Sequence, residues 1–307
     1  MKILLTGARG LVGRNLLEHA KAAEFEFVTP SSAELDLRDY AAVSAFVGLH
    51  RPDMIIHAAG KVGGIQANIR EPVAFLVENF DMGRNIVLAA REAGVHRLLN
   101  LGSSCMYPRG CADAMDEAMI LSGALEPTNE GYALAKIATA RLCEFVARED
   151  SAASYKTLVP CNLYGRHDNF DPARSHLIPA IIHKMHAAKQ AGVDEVEIWG
   201  SGEARREFMY AGDLADAIVH AIERFDALPG IMNVGLGYDY TINEYYAAAA
   251  AVVGYGGGFV HDLSKPVGMA RKLLDVGLQT DWGWTPAHSL HEGLAKTYEF
   301  YLKECSR

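Results

Sequence analysis

Tyr132 and Lys136, in the stretch NEGYALAKI, stand four residues apart in a run of good helix formers. On a helix that spacing puts both side chains on one face. An ammonium there favours the ionised form of the phenol, so such a tyrosine is expected to exchange protons near neutral pH. Upstream, RLLNLGSSC ends a strand-like run on Ser103, whose hydroxyl suits a carbonyl oxygen held beside that phenol. Ser103, Tyr132 and Lys136 therefore read as the parts of a carbonyl reductase. Ser103 hydrogen-bonds the oxygen, Tyr132 gives or takes its proton, and Lys136 lowers the phenol's pKa while binding a cofactor ribose. By itself YxxxK also describes a surface tyrosine beside a solvated lysine, and the elements around it must decide.

Those elements begin with KILLTGARGLVGRNLLEHA, an apolar strand over 2–5, a glycine turn, and a helix starting near Leu11. Gly7, Gly10 and Gly13 are spaced GxxGxxG, which lets the backbone approach a pyrophosphate at the helix N-terminus. A second strand, FEFV at 25–28, runs into TPSS and offers no acid for a ribose 2′-hydroxyl. Arg9, helped by Ser31 and Ser32, is expected to meet a 2′-phosphate instead, which favours NADP over NAD. Asp36, Leu37, Ala58 and Ala59 are the further expected cofactor contacts. DMIIHAAG (53–60), RLLNLGS (97–103) and YKTLVPCNLYG (155–165) read as buried strands with helical patterns between them. The fold class is α/β, a doubly wound parallel sheet of Rossmann type, with ligands at the carboxyl ends of its strands.

The second half predicts a helix over 177–191, the strand EVEIW, the stretch SGEARREF, and a helix through AAAAAVVG with a glycine stop. IMNVG at 231–235 is expected to return to the large sheet. The expected division is an NADP-binding domain over 1–165 with a returning segment near 210–240, and a smaller, discontinuous α/β substrate domain made mainly of 166–307.

Composition narrows the partners. The chain has 307 residues, 50% hydrophobic and 22% charged, with a net charge of −9 and no long Lys/Arg run. This speaks against a nucleic-acid footprint. The short apolar run before the first glycines fits neither a signal peptide nor a membrane span, and a cytoplasmic protein is expected. Cys105, Cys111, Cys143, Cys161 and Cys305 form no metal-binding spacing and read as reduced thiols, so no metal is expected.

GARGLVG, HAAGKVGGI, LGSSCMYP, EPTNEGYALAKI, NLYGRHDNF, SHLIPA, WGSGEARREFMYAGDLA, INEYYAAAAAVVGY and KPVGMARKLLD follow one another from residue 7 to 275. In that order they resemble the GDP-L-fucose synthases, a group of the extended short-chain dehydrogenases. The resemblance implies an NADPH-dependent, two-stage reaction on GDP-4-keto-6-deoxy-D-mannose: epimerisation at C3 and C5, then reduction at C4. By motif, Ser103, Tyr132 and Lys136 take the reductase roles, while Cys105 in SSCMYP and His176 in SHLIPA form the acid/base pair of epimerisation. A thiol and an imidazole have suitable pKa values for flanking a ring and inverting a carbon next to a ketone.

An acidic protein must meet a GDP-sugar with local cations and something flat. Lys184, Trp199, Arg206 and Arg271 are the candidates, with Asn162 of NLYG beside them, and the resemblance puts WGSG and RREF at the sugar-nucleotide pocket. The chain departs from the family pattern in Lys184, where an arginine is usual, in Val267 of KPVG, where aspartate is usual, and in lacking a second arginine after the second strand. A homodimer built through a helix bundle is also implied. The competing readings are an enzyme acting on another GDP-4-keto sugar, dideoxy or heptose, or performing one stage only, and a noncatalytic dinucleotide sensor.

Overall fold

The computed structural model describes residues 1–111, 113–171, 175–265 and 269–304. Cys305 and Val267 lie outside the described residues. The first half alternates strands and helices: β1 (Lys2–Thr6), α1 (Leu11–Leu17), β2 (Glu26–Val28), α2 (Tyr40–His50), β3 (Met54–His57), α3 (Ile65–Arg70), α4 (Pro72–Glu92), β4 (Arg97–Leu101), α5 (Glu130–Glu149) and β5 (Ser154–Pro160). The second half adds β6 (Asn162–Tyr164), α6 (Leu177–Ala191), β7 (Glu195–Trp199), β8 (Arg205–Arg206), β9 (Phe208–Tyr210), α7 (Ala211–Glu223), β10 (Ile231–Val234), β11 (Tyr240–Thr241), α8 (Ile242–Val253), β12 (Gly258–Asp262), β13 (Arg271–Lys272), α9 (Gly277–Trp282) and α10 (Leu290–Glu304).

Six strands form one parallel sheet in the order β10-β5-β4-β3-β1-β2. Its strands are apolar on both faces because helices cover both. Ile3 and Leu5 join the core that contains Leu16, Leu214 and Ile218, whereas Leu4 joins the one that contains Val43, Ile86 and Val146. β10 pairs with β5, as IMNVG predicts, so a late segment of chain completes the early sheet. The expected single strand through YKTLVPCNLYG is two: β5 stops at Pro160, and after Cys161 the chain turns to pair β6 with β9. Three smaller sheets, β11-β8-β13, β12-β7 and β6-β9, gather in the second half. A further core there draws on α6, α8 and α10 through Ile181, Met185, Tyr245, Ala249 and Leu294.

Local chemistry sets the helix ends that matter here. Asp39 caps α2 by accepting the N–H groups of Ala41 and Ala42. Thr241 and Glu244 form a reciprocal capping box on α8, and Gly254 ends that helix in the left-handed region at φ 72°.

Candidate active site

The turn between β1 and α1 is built around two glycines. Gly7 has φ 77°, and a Cβ on it would stand 2.6 Å from both the carbonyl carbon of Ala58 and the nitrogen of Ala59. A Cβ on Gly13 would stand 2.4 Å from the Gly7 oxygen, so neither position accepts a side chain without moving the turn. Gly10 donates its N–H to the Gly7 carbonyl at 3.0 Å and caps α1 with no side chain of its own. The result is a bare backbone cradle flanked by Ala58 and Ala59, which fits the pyrophosphate of a dinucleotide.

The far side of this cradle corrects one expectation. Ser31 does not offer its hydroxyl to a ligand, because both its N–H and its Oγ–H donate to Glu34, at 2.8 and 2.6 Å. Glu34 is thus an acid close to the second strand that the sequence reading passed over, and the Arg9 guanidinium beside it helps hold its carboxyl low, after the Ser31 bonds. Asp36 accepts a two-pronged bond from Arg38, at 2.9 and 2.8 Å, and is pulled down to about 2. The Leu37 carbonyl accepts from Asn85 at 2.9 Å.

Ser103 follows β4 in extended conformation and accepts the Cys105 N–H at 3.4 Å, opening a short turn through Ser104–Met106. Tyr132 and Lys136 stand on successive turns of α5, and the Lys136 ammonium lies 5.8 Å from the tyrosine ring centre. Lys136 donates to the Leu101 carbonyl at 2.8 Å, two residues before Ser103. Burial pulls its ammonium down to about 8. Here the structure departs from the expectation that Lys136 brings the phenol near neutrality. Burial pushes the Tyr132 hydroxyl up, well above an ordinary phenol, and a hydrogen bond with Ser103 only partly opposes this. A neutral phenol is a proton donor, which is the form that reduction of a carbonyl requires.

Cys105 is 6% exposed, and burial pushes its thiol up; Lys272, Ser103 and Lys136 act against that push. His176 sits at the N-cap of α6, but its side chain makes no capping bond, which removes helix capping as the reason for its type. Burial, and then the Lys272 cation, pull the imidazole down, so it is a neutral proton acceptor at pH 7. The Lys272 charge therefore acts on both Cys105 and His176. Nothing in the sequence singled it out.

The two basic residues of β13 differ in register. Along β13, Arg271 pairs with Arg205 and Lys272 with Arg206. Consecutive strand residues point to opposite faces. Arg271 goes to Asp239, which it shares with Arg205 at 2.5 and 2.6 Å, while Lys272 takes the other face of the strand, and its charge opposes the rise of the Cys105 thiol. No signal in MARKLLD alone says which of the two basic residues faces inward.

The other expected substrate residues lie on β6, α6, β7 and β8. Burial pulls Arg206 down despite the opposing charge of Glu126. Asn162 donates to the Glu207 carbonyl at 2.9 Å. Trp199 is exposed at the end of β7, donating to Glu197 at 2.8 Å with the Lys265 ammonium 5.6 Å from its ring centre. Lys184 donates to the Glu197 main-chain carbonyl, and burial pulls its ammonium down. Among the described residues no cluster of three His, Cys, Asp or Glu side chains is placed to hold a metal.

Comparison with known proteins is consistent over nearly the full length. The family model described as NAD dependent epimerase/dehydratase family matches residues 3–235. GDP-L-colitose synthase of Yersinia pseudotuberculosis is 57% identical over 99% of this chain and 99% of its own. GDP-L-fucose synthase of Azorhizobium caulinodans is 48% identical over 98% of this chain and 96% of its own. Among solved structures, a GDP-6-OMe-4-keto-L-xylo-heptose reductase from C. jejuni superposes with a TM-score of 0.92 at 29% identity, covering 99% of this chain and 98% of that one. A GDP-D-glycero-L-gluco-heptose synthase from Campylobacter jejuni, solved in the presence of NADPH, gives 0.91 at 29% identity and 98% coverage of each chain.

Proposed function

From a chain that belongs to the NAD dependent epimerase/dehydratase family, we propose an NADPH-dependent enzyme that epimerises GDP-4-keto-6-deoxy-D-mannose at C3 and C5 and reduces it at C4, giving GDP-L-fucose. The observation that carries this reading is the joining of two sets of groups at one place. Ser103 follows β4, Lys136 reaches the last carbonyl of β4 from α5 beside Tyr132, and the Lys272 charge acts on both Cys105 and His176. The glycine cradle, and the NADPH named with one solved relative, support NADP(H) as cofactor.

Ser103 and Tyr132 donate to the C4 oxygen, and so stabilise the enolate left when a proton departs from C3 or C5. Cys105 and His176 flank the ring, one accepting a proton as the other returns one from the opposite face, and exchange with solvent resets both between the two carbons. Lys272 favours the thiolate and adds positive charge where the enolate develops. The Gly7–Gly13 turn would hold NADPH, which would supply the hydride for C4. Tyr132 then gives its proton to the C4 oxygen, with the Lys136 cation steadying the phenolate that remains. Trp199, Lys184 and Arg206 are assigned to the GDP portion, where Arg206 meets phosphate.

The 57% identity to a colitose synthase, above the 48% to a fucose synthase, favours a second reading with a 3,6-dideoxy ring as substrate. A ring without a C3 hydroxyl has no stereocentre there, so only C5 is inverted. Incubation with NADPH in D2O and each of the two GDP-4-keto sugars, followed by NMR, separates them. Turnover of the 6-deoxy sugar with deuterium at both C3 and C5 supports the first reading; exclusive turnover of the dideoxy sugar supports the second.

A homodimer and a cytoplasmic location belong to the same proposal. Val73, Val77 and Phe80 form an exposed apolar stripe on α4, and Leu134 and Phe145 continue it on the adjoining α5. No helix among the described residues is long and apolar enough to cross a membrane. Light scattering of the wild type and of Val77→Glu tests the dimer, which the charge is expected to dissociate.

A further inference from the structure

Tyr107, two residues after Cys105, is 3% exposed, and none of the roles above uses it. Its hydroxyl donates to the Asn233 side-chain oxygen at 2.5 Å. Asn233 belongs to β10, the edge strand of the six-stranded sheet, and is fully buried. Its amide nitrogen donates to the Met115 and Asp275 carbonyls, each at 2.9 Å. Two carbonyls need that nitrogen, so the oxygen is left to accept from the tyrosine, and both polar atoms of the side chain are used. The Asn233 main-chain N–H goes to the Glu117 carboxylate at 2.6 Å.

The turn that carries Cys105 is thus held at both ends. Upstream, the Ser103 hydroxyl accepts the Cys105 N–H at 3.4 Å and the Ser103 carbonyl accepts that of Met106 at 3.0 Å. Downstream, Tyr107 is fixed to β10, Pro108 follows with its backbone angle locked, and the Arg109 N–H reaches the Ala124 carbonyl at 2.9 Å. Further along, Met115 gives its N–H to the Leu273 carbonyl and accepts that of Asp275, both at 2.9 Å. One amide side chain therefore gathers the segment after Cys105, the segment after β13, and the edge of the main sheet. Burial pushes the Tyr107 hydroxyl up, so it remains a neutral donor. Tyr132 and Lys136, on α5, make none of these bonds, so loss of the clamp acts on the thiol and leaves the reductase pair in place.

A thiol that exchanges a proton with a ring carbon must stand within reach of it, and a displacement of about 1 Å costs up to roughly 10² in rate. We propose that Tyr107 and Asn233 are positioning residues for epimerisation: their bond clamps the far end of the Cys105 turn to the main sheet and so fixes where the thiol meets the sugar ring. This rests on the reading of Cys105 as a proton-handling group.

The test uses Tyr107→Phe, which removes one oxygen, and Asn233→Ser, whose side chain is too short to reach Tyr107, alone and together. Each is compared with the wild type per NADPH-binding site, so that a smaller folded fraction cancels. With NADPH and a GDP-4-keto sugar in D2O, deuterium uptake at the ring carbons should fall by roughly tenfold or more in either single variant, and unepimerised reduced sugar should appear among the products by NMR. The double variant should do no worse than the poorer single one, because both changes remove the same bond. A pair that only holds the fold together lowers uptake and reduction alike, so an unchanged product ratio in folded Tyr107→Phe overturns the proposal. Where that variant does not fold, an unchanged ratio in Asn233→Ser does so, and additive losses in the double variant also count against it. Should the wild type act on no GDP-4-keto sugar, the reading of the reaction fails instead, and the position of the thiol is read without substrate. Alkylation of Cys105 by iodoacetamide, followed by mass spectrometry, should become several-fold faster in Tyr107→Phe, while Cys143, fully buried on α5, keeps its wild-type rate. An unchanged Cys105 rate, or an equal rise at both cysteines, refutes the clamp.

Discussion

Replacing Lys136 by methionine should strengthen the fold while disabling reduction, and the size of the effect follows from its burial. Lys136 is 7% exposed, and its ammonium is pulled from an ordinary 10.5 down to about 8. At pH 7 a depression of that size corresponds to about 3 kcal/mol of unfavourable free energy in the folded state. The unfolded chain holds its proton up to about 10.5 and the folded one only to about 8, so unfolding takes up a proton within that window. The cost is complete below the folded value and disappears as pH rises through the window, which means that high pH favours the wild-type fold there.

Methionine removes the cost but leaves the Leu101 carbonyl without its donor, a loss of about 1 to 2 kcal/mol. The net expectation is a variant about 1 to 2 kcal/mol more stable at pH 7. That advantage should shrink by roughly 2 to 3 kcal/mol by pH 10, and so vanish or reverse. Urea unfolding of both proteins, without cofactor, at pH 7 and pH 10 measures the difference, in which all other titrations cancel. Reduction of the ketone should fall by roughly 10² or more in the same variant, since the phenolate left on Tyr132 loses its cation. A stability difference that does not change between the two pH values would show that the Lys136 charge is not desolvated, and would refute the reasoning.

Gly13→Ala places a methyl 2.4 Å from the Gly7 oxygen and 2.5 Å from the Ala8 Cα; NADPH affinity, read by fluorescence titration, should fall by roughly 10², and unchanged affinity would remove the cradle from the argument. Cys105→Ser raises the side-chain pKa far beyond that of a thiol, so solvent deuterium uptake at the ring carbons should be lost while some unepimerised ketone is still reduced; uptake at the wild-type rate would make the cysteine a packing residue. Tyr132→Phe should behave in the opposite way, retaining uptake while reduction falls by roughly 10² or more, and near wild-type turnover would contradict its role. Arg9→Ala should lower kcat/KM for NADPH more than for NADH, and equal losses would place the 2′-phosphate elsewhere.

Much of this protein is legible along the chain because the physics involved is local. A run of apolar residues on both strand faces, a GxxGxxG turn and a YxxxK pair each declare themselves within a dozen residues, since strand alternation and the helical i, i+4 relation act over that range. The parallel sheet, the glycine cradle, α6 from residue 177 and the glycine end of α8 all follow from such patterns. Where two segments far apart in sequence meet, the local patterns fall silent. The choice between Arg271 and Lys272 depends on which face of β13 turns toward Cys105, and that is set by its pairing with β8 some 65 residues earlier. The capture of Ser31 by Glu34 and the raised phenol of Tyr132 likewise come from burial, which depends on what the whole chain packs around a group. Asn233 is the extreme case: its type says only that it is polar, and its three side-chain partners, on segments that approach it only in the folded chain, give the amide its work.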